Sequence, residues 1–97
     1  MQRTADELVS LVVDALRYPD RRKSILEDFL RAQRRFPGPR PTEWWWIFHG
    51  LTVDASLYEP DPAKYELGLV GKERMQEALV QAVADLKAAG FEVEHPP

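Results

Sequence analysis

The chain of 97 residues contains no cysteine, which excludes a disulfide framework, thiol catalysis and every cysteine-ligated zinc site. Histidine is scarce. Only His49 and His95 are present, and their separation is not that of a metal-ligand pair. A single histidine among apolar residues, as His49 is, reads as a hydrogen-bonded structural residue rather than a catalyst. Long apolar runs are missing as well. The longest, Trp44 to Phe48, is five residues, far below the roughly 20 that a membrane-spanning helix needs. Arg3, Asp6 and Glu7 break up the start of the chain, which lacks the apolar core of a secretory leader. A cytoplasmic location with no membrane partner is therefore expected. Gly68-Leu69-Val70-Gly71-Lys72 lacks the spacing and the hydroxyl residue of a phosphate-binding loop. No acid–base pair marks a pocket, so no catalytic residue, metal or cofactor is assigned, and a non-enzyme is expected.

What the chain does contain is unevenly distributed. The formal charge of −3 conceals a basic segment: Arg17 to Arg40 holds eight basic residues against three acidic ones, whereas Pro41 onward holds four against ten. Arg31, Arg34 and Arg35 form the densest basic group and raise a nucleic-acid reading. Glu27 and Asp28, one helical turn away from Arg31, neutralise part of it. No nucleic-acid-binding motif accompanies the cluster, and nucleic acid is the least favoured partner.

One domain spans residues 1–97. Within it, residues 1–36 read as a helical hairpin. Thr4 and Glu7 have the spacing of a capping box, and Leu8, Val9, Val12, Val13 and Leu16 recur at helical spacing until Pro19 ends the first helix. Ile25, Leu26, Phe29, Leu30 and Phe36 mark the buried side of a second helix. Three prolines in residues 37–41 read as an extended linker. Residues 42–97 read as a β-β-α-β unit. Its helix carries Met75, Ala78, Leu79, Ala82, Val83 and Leu86 and stops at Gly90. Strands are predicted before it, over 44–58 with a bend at Gly50 and over 65–70, and after it from Phe91. The fold class is then α+β, with a small three-stranded, mostly antiparallel sheet of order 2-1-3.

The three consecutive tryptophans, Trp44-Trp45-Trp46, dominate this reading. In a strand Trp44, Trp46 and Phe48 point one way and Trp45 and Ile47 the other, so both faces of the strand need cover. Trp44 and Trp46 are the pair expected to remain exposed, because their parity turns polar further along. The expected function is a small protein-interaction or regulatory module that self-associates through this aromatic sheet. Trp44, Trp46, Phe48 and Tyr58 are its contacts, and Arg31, Arg34 and Arg35 form a secondary polar surface. A homodimer or another protein is the expected partner. The competing reading is a small-ligand domain in which the same aromatics line a cleft for an apolar or aromatic molecule.

Overall fold

The segment around the tryptophans coils into a helix instead of extending into a strand. In the computed structural model, which describes residues 3–36 and 42–93, α1 spans Arg3–Arg17, α2 Arg22–Arg34, α3 Thr42–Ser56 and α4 Lys72–Ala88. Short 3-10 turns occupy Pro19–Arg21 and Pro62–Lys64. Among the described residues there is no sheet. The sole remnant of strand pairing is an isolated bridge between Tyr58 and Val70. The fold is all-α, and the expected α+β class with its 2-1-3 sheet is wrong.

The physical reason lies in the first predicted strand. Trp44, Phe48, Leu51 and Ala55 are spaced i, i+4, i+7 and i+11, so the segment carries a helical stripe as well as an alternation. A short apolar run fits either period. Its aromatic and β-branched residues disfavour a helix by only some tenths of a kcal/mol each, and packing of the stripe outweighs that cost. Phe48 is wholly buried, with Trp45, Ile47, Leu51 and Ala55 buried around it. The Thr52 hydroxyl donates to the Phe48 carbonyl (2.7 Å) and that of Ser56 to the Thr52 carbonyl (2.8 Å), so both are satisfied within the helix.

The later strands fail for separate reasons. Between α3 and α4 the chain forms a loop pinched at its base. The Val70 amide donates to the Leu57 carbonyl and the Glu59 amide to the Val70 carbonyl, both at 2.8 Å. Inside this loop Asp61 accepts from the Ala63 amide (3.0 Å) and Glu59 from the Asp61 amide (3.2 Å). The two carboxylates thus shape the turn. After α4 the amides of Gly90 and Phe91 donate to the carbonyls of Lys87 and Leu86. Gly90 sits at φ +99°, completing a Schellman turn that only glycine enters readily. This turn brings Phe91 back onto Trp44 and Phe48 (ring centroids 5.3 and 6.3 Å) instead of starting a strand.

α1 packs on α2 and α4, and α3 packs on the same two helices, so the four enclose one core. Leu8, Val12, Leu26, Phe29, Phe48, Met75, Leu79 and Leu86 lie at its centre. α1 begins at Arg3, which places Thr4 inside the first turn rather than at a cap. It ends at Arg17, before the non-helical Tyr18 that precedes Pro19. The expected linker over 37–41 lies outside the described residues. Among those described, no helix is long and apolar enough to cross a membrane.

The helical register of α3 has a direct test. Phe48→Ala should cost about 3–5 kcal/mol, whereas Trp46→Ala should cost under about 1 kcal/mol, both measured by urea denaturation. Comparable losses at the two positions would restore the strand register, in which they share a face.

Candidate functional site

Three features of this bundle can carry chemistry or recognition. The first is a buried cation. Arg22 opens α2 and is only 4% exposed. Its Nε donates to the Ala15 carbonyl (2.7 Å), and Nη2 donates to the Leu16 carbonyl (3.3 Å) and to Oε1 of Gln76 (2.8 Å). Ala15 and Leu16 belong to the last turn of α1, whose carbonyls lack helical partners and carry the negative end of the helix dipole. The guanidinium also interacts with Tyr58. Burial pushes the Tyr58 phenol above its ordinary value of 10.0, Arg22 pulls it back down, and Glu59 adds to the rise. This arrangement is closed by the protein's own groups and leaves no reacting position open.

The second feature is a groove of about 660 Å³ between α1 and residues 89–93. Val9, Val13, Trp44, Phe91 and Val93 line it, with Asp6, Asp14, Glu92 and Arg17 among its charged neighbours. Its most obvious stacking platform is already in use. The Trp44 ring is surrounded by Phe36, Trp45, Phe48 and Phe91 at 5.3–6.2 Å, three of them edge-on.

The third feature is the outer surface of α3. Trp46 is 58% exposed, Val53 48% and Leu57 40%. At 100° per residue Trp46 and Val53 fall within about 20° of one another, on the side of the helix opposite Phe48 and Ala55, and Leu57 follows the last residue of α3. The indole N–H of Trp46 donates to the Glu43 carbonyl (3.2 Å), which satisfies its one donor and leaves the ring facing outward. Between this stripe and α4 runs a groove of about 370 Å³, lined in part by Gly50, Asp54, Arg74, Glu77 and Asp85.

The residues singled out from the sequence are thus scattered. Phe48 is in the core and cannot be a contact residue. Trp44 is half-buried in the aromatic cluster, and Tyr58 is half-buried against Arg22. Only Trp46 stands free among the aromatics proposed as contacts. Arg31 pairs with Asp28, while Arg34 and Arg35 are exposed where α2 ends. Cations there favour the helix dipole, an ordinary reason for their presence. Val53, Leu57, Gly50 and Arg22 were missed. For the first three, the signal was their spacing of i, i+4, i+7 and i+11 from Trp46, which the alternating pattern obscured. Among the described residues no three His, Cys, Asp or Glu side chains converge as a metal-ligand set. Comparison with protein-family models, curated proteins and solved structures finds no match.

Two outcomes follow for the buried cluster. Arg22→Met should destabilise the fold by about 2–4 kcal/mol in urea denaturation, since each orphaned buried acceptor costs about 1–3 kcal/mol. Arg22→Lys should recover only part of this, because an ammonium cannot reproduce the fork. A neutral Arg22→Met would contradict the assignment. The Tyr58 phenol gives a pH signature. Below pH 10.0 it is protonated in folded and unfolded chains alike; above that the unfolded chain releases its proton first. Stability should therefore fall as pH rises through the raised Tyr58 value, and Tyr58→Phe should make that alkaline decline shallower. Equal slopes in urea titrations across this range would refute it.

Proposed function

We propose that this chain is a small, non-enzymatic protein-interaction module that docks through the outer face of α3. The observation that carries the reading is that α3 is apolar on two opposite sides. Trp45, Phe48, Leu51 and Ala55 serve the core, while Trp46 and Val53 face outward on one stripe, with Leu57 exposed just past the end of the helix. A helix apolar all round is normally enclosed all round. Isolated exposed apolar residues are ordinary, but a contiguous patch is a mark of contact surfaces. An indole held by its own N–H bond and presenting its ring is also the type of side chain that anchors interfaces. A cytoplasmic setting belongs to the same reading.

A small-ligand role draws support from the larger groove, where Val9, Val13, Trp44, Phe91 and Val93 come together. It is the weaker reading because Trp44 is committed to the aromatic cluster. The nucleic-acid reading draws on exposed Arg34 and Arg35 but is opposed by exposed Glu27 and by the Arg31–Asp28 pair.

Docking through α3 can be checked without knowing the partner. A photoreactive amino acid at Val53 should cross-link to protein in the cells that make the chain. The same probe at Val80, equally exposed but on α4, should not. Equal yields at both sites, or none at Val53, would end the reading.

A further inference from the structure

We infer that the occupant of this face is a basic amphipathic helix of a partner protein, laid along the groove between α3 and α4. The inference rests on the docking reading above and adds the partner's chemistry. Beside the outward stripe of Trp46 and Val53, the groove is lined by Asp54, Glu77 and Asp85 against one basic residue, Arg74. Its α3 wall is acidic throughout, since α3 carries Glu43 and Asp54 and no lysine or arginine. Among the described residues no ion pair joins the three carboxylates to Arg74 or to another cation. Asp85 accepts from the side-chain amide of Gln81 (2.9 Å), a neutral donor. Nor do these carboxylates converge as a metal-ligand set among the described residues. A row of spaced cations complements them where a single ion does not.

The shape selects a helix. The hydrogen bonds linking Leu57, Glu59 and Val70 hold the end of α3 beside the start of α4, so the two helices run antiparallel. A groove of this kind takes a third helix, whose backbone is already satisfied and whose side chains enter between the two. There is no sheet edge among the described residues for an extended peptide to join. The antiparallel course sets Asp85 at the Trp46 end of the groove and Arg74 at the Asp54 end. A lysine or arginine of the partner near Trp46 gains both a carboxylate and the face of an indole. Apolar residues one and two turns further along meet Val53. A second copy supplies no such helix. Its basic helix, α2, turns Leu26, Phe29 and Ala32 into its own core and mixes Glu27 and Asp28 with its outer arginines. Nucleic acid and anionic lipid are repelled by the same carboxylates.

The test is selection on the full chain from a displayed library of helical peptides of about 16 residues, roughly 24 Å long. Their apolar stripe is fixed and their other positions vary among acidic, basic and neutral residues. Enriched peptides should carry an excess of lysine and arginine, and should cross-link to the probe at Val53 and not to that at Val80. Asp54→Asn, Glu77→Gln and Asp85→Asn together keep the side-chain shapes. They should weaken a selected peptide at least about tenfold and flatten its salt dependence. Should that triple variant unfold, Glu77→Gln and Trp46→Ala, both at exposed positions, should each weaken the peptide at least about threefold. No binder, neutral or acidic binders, basic binders at Val80, or affinity indifferent to the neutralised carboxylates would each overturn the basic helix. In those cases a Val53 probe that still captures a protein in cells keeps the docking face; no adduct there ends both.

Discussion

The bundle depends on one buried guanidinium. Two helices joined by a short corner must both end there, and the carbonyls of the first are left without helical partners. Arg22 supplies donors to two of them and, from the same planar group, reaches Gln76 on α4. Lysine would offer a point charge, but arginine spans three acceptors with fixed geometry. A charge this deeply buried would be unfavourable without compensation. Here compensation comes from neutral oxygens and from the negative end of α1, with the Tyr58 phenol closing the remaining side. The residue that turns the corner is thus also the residue that joins the hairpin to the second pair of helices.

The opposite end of the bundle is held by shape instead of charge. Phe36 after α2, Trp44, Trp45 and Phe48 at the start of α3, and Phe91 after α4 meet there in an aromatic cluster with centroids 4.7–6.3 Å apart. Such offset and edge-on pairs add to the gain from burial alone. Phe91 arrives only because Gly90 reverses the chain in a left-handed conformation. α3 is therefore fixed at both ends, by aromatic packing near Trp44 and by the pinched loop near Tyr58. With its register fixed this way, Trp46 is turned outward.

Helical spacing was legible in α1, α2 and α4, whose apolar residues follow one period and whose stops at Pro19 and Gly90 are chemically explicit. It was not legible in α3. There, five consecutive apolar residues satisfied two periods at once, and β-favouring residue types tipped the reading toward alternation. That single choice carried the sheet with it, since the supposed strands at 65–70 and 91–94 drew their plausibility from the first. The site suffered in the same way: alternation grouped Trp46 with Phe48, whereas the 100° helical step sends one outward and the other into the core. Arg22 could not be distinguished by sequence from the seven other basic residues of its segment, because burial of a charge is set by tertiary packing.

The outer face of α3 departs twice from what folding alone would select. The outer faces of α2 and α4 are mostly charged or polar, as solvated helix surfaces normally are. α3 instead places Trp46 and Val53 in water, with Leu57 exposed just past its end, which gains the isolated chain nothing. On that same side it sets a glycine, which weakens the helix and which no neighbour among the described residues requires. Either feature alone would be ordinary. Together, on one stripe beside a groove lined by Asp54, Glu77 and Asp85 with Arg74 among them, they are the features on which the proposed docking face rests. The arginine and the aromatic cluster stabilise the bundle from its two ends and the inner side of α3 fills the core between them, which leaves the outer side of α3 free of structural duty.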